Sequence, residues 1–193
     1  MVTLSADINR YYQDTAWDYK YLWMGRTLAV HFGYYDQVAK KHADALLRMN
    51  EILAEKAKIQ KTDKVLDAGC GVGGSVIWLA KNKNCFVTGI NIIEQQLEEA
   101  KTNAKEAGVN KQVNFIKANY ANVPVLSGSY DIFWALESIV HSPDKEAVVA
   151  EASRVLKVNG RIVIAEYMLR NSPPHKRLGT KISGPLATRM GNA

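Results

Sequence analysis

Cysteine is scarce in this chain: Cys70 and Cys85 are its only two in 193 residues. That excludes a disulfide scaffold and a zinc site built on cysteine alone. No window approaches the ~18 consecutive apolar residues that a membrane-crossing helix needs. The first fifteen residues carry Asp7, Asn9, Arg10, Gln13 and Asp14 and do not read as a secretory signal. There is no internal repeat and no low-complexity tract. Acids are missing from residues 170–193, where Arg170, Lys176, Arg177, Lys181 and Arg189 hold five of the six excess positive charges. The body is therefore close to neutral, and no basic face interleaved with aromatics points to nucleic acid. Hydrophobic residues at 47% and charged residues at 23% are ordinary for a globular domain. These absences together predict a cytoplasmic protein without disulfides, metal site, membrane span or nucleic-acid partner.

Aromatics are plentiful in one place. Tyr11, Tyr12, Trp17, Tyr19, Tyr21, Trp23, Phe32, Tyr34 and Tyr35 crowd the first 36 residues. They can dock the segment onto the main domain, or form a lid over a flat or cationic ligand. Gln37 to Lys58 then reads as an amphipathic helix, with Ala39, Ala43, Leu46, Met49, Leu53 and Ala57 on one face.

From Lys64 the pattern alternates. Lys64–Ala68, Cys85–Ile90, Val113–Ala118, Asp131–Leu136 and Arg161–Leu169 read as strands. Helical stripes lie between them: Val76, Leu79 and Ala80; Leu97, Ala100, Ala104 and Ala107; and Val148, Ala152 and Val155. The last of these helices is expected to start at Ser142-Pro143-Asp144, with Pro143 at the first position. Strand–helix alternation predicts an α/β fold, a Rossmann-like parallel sheet with helices on both faces. Ligands of such sheets sit at the carboxyl ends of the strands, where strand order reverses.

The first strand runs into Gly69, Gly71, Gly73 and Gly74. Glycines at a strand-to-helix turn allow close approach by a ligand, and the helix start offers free N–H groups. Gly69-x-Gly71-x-x-Gly74 fits a dinucleotide turn. Asp67 argues otherwise, because a pyrophosphate is repelled by a carboxylate so near, whereas a ligand bearing an ammonium is attracted. Asp67, Gly69, Gly71 and Gly73 therefore favour S-adenosylmethionine over a nicotinamide dinucleotide. The competing functions are an NAD(P)-binding oxidoreductase and a cofactor-binding protein without turnover.

Three further segments stand out: His31-Phe32-Gly33-Tyr34, the run Trp134 to His141 (WALESIVH), and the run Arg154 to Gly160 (RVLKVNG). With the glycine turn they resemble class I S-adenosylmethionine-dependent methyltransferases. The nearest subgroup acts on small molecules: sugar O-, sarcosine/dimethylglycine N-, tocopherol and sterol types. The resemblance spans roughly residues 10 to 169, with Val158 and Asn159 standing where the family has Pro and Gly. It implies methyl transfer to a small-molecule O, N or C acceptor, and an enzyme able to form a homo-oligomer.

By position, the resemblance implies that Gly69, Gly71 and Gly73 line the methionine part of the cofactor. Asn91 stands where an acid usually grips the ribose hydroxyls, Gln96 reaches the ribose, and Ile92 packs on the adenine. Asn119 faces the adenine amino group, with Tyr120 beside it. Leu136 and Glu137 lie beside the sulfonium, and Tyr12 closes over the cofactor. His141 is the candidate general base, with Glu137 at its side; Val140 replaces a second histidine. His31 hydrogen-bonds within the lid, His42 and His175 are solvated, and Cys70 is a small residue between glycines. The implied organisation is a helical cap over residues 1–60, a cofactor core over 61–169 and a basic tail over 170–193. The family's further helix and antiparallel strand pair have no counterpart in the 24 residues after Leu169. The expectation is therefore a truncated or incompletely represented enzyme, or a fifth strand whose edge a partner covers.

Overall fold

The computed structural model describes residues 27–167. Tyr12, the other leader aromatics before residue 27, His175 and the basic tail lie outside them, as do the last two residues of the expected fifth strand. Five strands form one parallel sheet in the order β3-β2-β1-β4-β5. They are β1 Lys64–Ala68, β2 Phe86–Asn91, β3 Val113–Lys117, β4 Tyr130–Leu136 and β5 Leu156–Ala165. Among the described residues four α-helices accompany them: α1 His42–Lys56, α2 Gly74–Lys83, α3 Glu94–Glu106 and α4 Lys145–Val155. Strand order reverses between β1 and β4, which places the switch point at the glycine turn and at the end of β4.

Alternation along the strands sorts side chains into two cores. Val65, Ile132 and Trp134 face α1, α2 and α3 through Ala54, Leu79 and Leu97. Leu66, Phe133 and Ala135 face α4 through Val148, Ala152 and Val155. The expected inner stripes of α2 and α4 are buried as read. On the second face the β3–β4 connection joins α4. Glu151 accepts from the Val123 amide at 2.6 Å, and Arg154 donates to the Val123 and Val125 carbonyls at 2.9 Å. Arg154, singled out as part of a motif, therefore acts here as a clamp.

Several boundaries differ from the sequence reading. Helix α1 starts at His42 rather than Gln37, because Asp36 Oδ1 accepts from the Val38 and Ala39 amides and turns the chain first. Its buried face holds Ala45, Leu46, Asn50 and Ala54, while Ala43 is exposed. An apolar count placed Asn50 outside, but it lies inside, within reach of buried His31 at 3.4 Å. Pro143 does not occupy the first position of α4. Asp144 is the N-cap, its side chain accepting from the Ala147 amide at 2.8 Å.

Strand β5 begins five residues early. Tyr130 pairs with Leu156 and Ile132 with Arg161, so residues 157–160 bulge from the ladder. Asn159 sits there at φ 65°. Asparagine tolerates that left-handed conformation, which accounts for its standing in for the family's glycine.

Candidate functional site

The amides of Gly69 and Cys70 both donate to the Ile90 carbonyl, at 2.9 and 3.0 Å, and tie the turn after β1 to β2. Gly69 has φ +88°, and a Cβ there would stand 2.5 Å from Ser138 Cβ, so no side chain fits. Gly71 differs: at φ +53°, a Cβ there would meet only Val30 Cγ2, at 3.8 Å. The turn is thus closed towards β4 and open at Gly71. Cys70 is buried, and burial with the nearby Asp67 charge raises its thiol well above the ordinary range.

Asp67 lies one residue before the end of β1, beside Gly89 on β2 and Trp134 on β4. It is 3% exposed, and its Oδ2 has no hydrogen-bond partner among the described residues. The indole N–H of Trp134 is likewise buried without a partner. Burial pushes the Asp67 carboxyl up to about 7. A buried carboxylate left in this state is costly unless a donor is brought to it.

A strap over residues 28–34 crosses this turn. The Leu28 carbonyl packs on Gly74, where a Cβ would come within 2.5 Å, while Val30 stands far enough from Gly71 to leave room for a Cβ. His31 is buried. Its Nδ1 faces the Phe32 carbonyl at 2.9 Å and its Nε2 faces the Asn50 amide at 3.4 Å. A carbonyl only accepts, so Nδ1 carries a proton, and the Asn50 side-chain N–H faces Nε2 as its acceptor, the arrangement of a neutral ring. Burial agrees, holding the His31 pKa below its ordinary value. The Tyr34 amide donates to the Ala45 carbonyl at 2.9 Å. The HFGY segment therefore fastens the strap to α1.

At its other side the strap meets the end of β4. The Phe32 amide donates to Glu137 Oε1 at 2.9 Å, and the Glu137 amide donates to the Ala165 carbonyl at 2.8 Å. Glu137 sits at φ +51°, a conformation that costs a non-glycine residue about 1–3 kcal/mol. Burial raises its pKa, and Glu166 adds to the rise. Leu136, the residue before it, is partly buried in the adjoining core.

Ser138 joins several parts. Its hydroxyl donates to the Ala68 carbonyl, its carbonyl accepts from Tyr120 Oη at 3.3 Å, and its amide donates to Glu166 Oε1 at 2.8 Å. The Ile139 amide donates to the same oxygen at 2.6 Å. A 3-10 turn, Ile139–His141, follows. Burial holds the His141 pKa below its ordinary value, so the imidazole is neutral at neutral pH. Burial raises the Tyr120 pKa, with Glu166 contributing.

At the end of β2, Asn91 Nδ2 donates to Gln96 Oε1 at 2.7 Å, and its Oδ1 accepts from the Ile93 amide at 3.2 Å. These two expected ribose contacts are therefore bonded to each other, with Ile92 half-buried between them. Asn119 is exposed, and its Oδ1 accepts from the Ala121 amide at 2.9 Å. The structure thus gathers Asp67, the glycine turn, Asn91, Gln96, Glu137 and His141 along the carboxyl edge of the sheet. Sequence reasoning missed Ser138, Glu166, Asn50 and the strap amide of Phe32. An acid closing the apolar run of β5 was the available signal for Glu166. Among the described residues, no group of three His, Cys, Asp or Glu could hold a metal, and no helix is long and apolar enough to cross a membrane.

Residues 66–164 match the family model described as a methyltransferase domain, and the chain belongs to that family. It is 37% identical to 27-O-demethylrifamycin SV methyltransferase of Amycolatopsis mediterranei, covering 75% of this chain and 53% of that protein. It is 34% identical to sarcosine/dimethylglycine N-methyltransferase of Halorhodospira halochloris, covering 81% of this chain and 56% of that protein. Among solved structures, a geranyl diphosphate methyltransferase in complex with GPP and sinefungin superposes with a TM-score of 0.74 at 26% identity. The match covers 83% of this chain and 65% of that one. The chain spans about half the length of the curated relatives it matches. These likenesses agree with the expected Rossmann-like fold and the methyltransferase resemblance, and lend no support to the dinucleotide reading.

Proposed function

We propose that this chain transfers a methyl group from S-adenosylmethionine to an O, N or C atom of a small-molecule acceptor. The observation that carries the reading is Asp67, a buried carboxyl with an unpartnered oxygen beneath a glycine turn that is open at Gly71. An ammonium satisfies that oxygen; a pyrophosphate opposes it. The related 27-O-demethylrifamycin SV and sarcosine/dimethylglycine methyltransferases, and a geranyl diphosphate methyltransferase solved in complex with SAM, support the cofactor.

In this reading Gly69, Gly71 and Gly73 cradle the methionine portion. Asn91 and Gln96 hold the ribose as a pre-bonded pair, Ile92 packs on the adenine, and Asn119 and Tyr120 bound the adenine end. The cofactor supplies a methyl group on a sulfonium, which is already a good leaving group. The protein's own work is to align the reactants and exclude water. The strap performs the exclusion, with Tyr12 as a further closing residue. Leu136 and Glu137 border the sulfonium, the carboxylate complementing its charge. Neutral His141 takes the proton of a hydroxyl acceptor at a ring nitrogen. Residues 61–169 form the cofactor core, residues 1–60 cap it, and residues 170–193 form a basic tail.

The test is calorimetric titration with S-adenosylmethionine, S-adenosylhomocysteine and NAD. Both adenosyl ligands bind, NAD is silent, and Asp67→Asn weakens the adenosyl ligands at least ~10-fold, about 1.4 kcal/mol. Binding of NAD alone, or an Asp67→Asn variant with unchanged affinity, would sink the reading.

A further inference from the structure

Glu166 is not among the residues that the methyltransferase resemblance singles out, yet it holds the segment that carries His141. Its Oε1 receives the Ser138 amide at 2.8 Å and the Ile139 amide at 2.6 Å, and the Val140 amide adds to the same pull. These are the first N–H groups of the 3-10 turn Ile139–His141, which no preceding carbonyl can satisfy. A turn or helix normally caps such donors with a side chain close in sequence. Ser138 itself occupies the capping position here, but its side chain makes no cap bond. Its hydroxyl is spent on the Ala68 carbonyl, at the base of the glycine turn. The cap is delivered instead from the end of β5, 28 residues away.

We infer that Glu166 is a positioning residue, which fixes the Ile139–His141 turn against the glycine turn and so sets the place of His141. The inference rests on the reading of His141 as proton acceptor. Ser138 is the shared node: one face bonds β1, the other bonds Glu166, and its carbonyl receives Tyr120. Its Cβ fills the space that a side chain at Gly69 would need. Cofactor turn and base thus meet at Ser138: its hydroxyl holds the glycine turn independently of Glu166, while Glu166 holds the turn that carries the base. The carboxylate needs several donors, because its other oxygen, Oε2, is buried without a hydrogen-bond partner. Glu137, Tyr120 and Lys145 are the titratable groups coupled to it.

The measurement is the His141 titration in the full chain, followed by NMR of the imidazole carbons and assigned with a His141→Asn variant. Glu166→Ala removes the acceptor. The turn then opens and His141 moves towards water, so its pKa rises by ~0.5 pH unit or more. The sign is decisive: merely losing a nearby negative charge would lower a histidine pKa. Glu166→Gln keeps an oxygen for the two amides and restores most of the wild-type value. Glu166→Asp, one methylene short, behaves like Glu166→Ala and serves if that variant fails to fold. Glu151→Ala loosens the β3–β4 connection instead and leaves the His141 pKa unchanged. An unchanged or lowered His141 pKa in Glu166→Ala or Glu166→Asp overturns the inference, as does a Gln variant no better than Ala. Calorimetry with S-adenosylhomocysteine on the same samples judges the cofactor reading separately, and Glu166→Ala shifts that affinity less than ~3-fold.

Discussion

Asp63 and Asp67 stand four residues apart, at opposite ends of β1, and meet opposite fates. Asp63, at the amino end, is buried and partnered: its Oδ2 accepts from Arg161 at 2.7 Å and from the Gln60 amide at 2.8 Å. Arg161 in turn donates to the Ala57 and Lys58 carbonyls. Asp131 nearby receives the Lys64 amide and Lys157. Asp67, at the carboxyl end, keeps an unpartnered oxygen and a pKa near 7. Left-handed residues occur at both ends, Glu137 at φ +51° here and Lys58 at φ +51° and Asn159 at φ +65° there, so the unpartnered oxygen and not backbone strain sets the two ends apart. One end of the sheet is finished as structure; the other is left unfinished, as the proposed cofactor site requires. An unsatisfied buried group of this kind persists only where the surrounding fold holds it in place.

The largest expected effect would break this contrast at Asp67. The folded chain holds that proton up to about 7, whereas the ordinary value is 3.8. The folded state thus binds more protons than the unfolded one across that window. Its contribution to stability is complete below the lower value and is lost as pH rises through the upper one. At about 1.4 kcal/mol for each pH unit, the loss is on the order of 4 kcal/mol. Denaturant titrations across the window should show this slope in the wild type and lack it in Asp67→Asn. His31 and His141 act with the opposite sign, because their lowered pKa values lose stability as pH falls. The difference between the two proteins isolates Asp67; parallel profiles would refute its orphaned state.

Next in size is Arg161→Ala, which would make the amino end resemble the carboxyl end by leaving Asp63 unpaired. Breaking a buried pair costs about 3–5 kcal/mol, and the partial exposure of Arg161 brings the expected loss to about 2–3. Urea midpoints measure it, and a loss below about 0.5 kcal/mol would mean that the pair holds little.

Glu137→Gly tests the carboxyl end at its left-handed residue. It removes the hydrogen bond to the strap, worth about 1 kcal/mol, and relieves a left-handed residue worth a similar amount. Net stability therefore changes by less than about 1 kcal/mol, while hydrogen exchange at the Phe32 amide accelerates. Glu137→Gln keeps the acceptor and the protection. Equal exchange in both variants would dismiss the strap contact.

The smallest effect belongs to Lys157→Ala. Its partner Asp131 still holds the Lys64 amide and the pair is partly exposed, so at most about 0.5 kcal/mol is lost. A loss above about 1.5 kcal/mol would show the amino end to be more tightly coupled than its geometry implies.

Legibility in the sequence followed how local each signal was. The β1–turn–α2 unit could be read because Asp67, Gly69, Gly71 and Gly73 act within one turn. The stripes of α2 and α4 could be read because core helices keep a 3.6-residue period. The face of α1 was misread by one position because the pattern counts Asn50 as surface, whereas His31, nineteen residues earlier, gives it a buried partner. The start of β5 was misread because its bulge depends on pairing with β4, which no local residue announces. Asn91 and Gln96 were both named, but their bond to each other was not visible in the sequence.

The sequence by itself determined the alternation of strands and helices, the glycine turn and the family. Those depend on backbone preference and periodicity, which act over a few residues. Tertiary structure alone decided that Glu137 would be tied to the strap, that Asp67 would be left without a partner, and that a carboxylate from β5 would cap the turn bearing His141. Hydrogen bonds depend on distance in space. Residues 28 to 105 positions apart come within 3 Å only after the sheet has assembled.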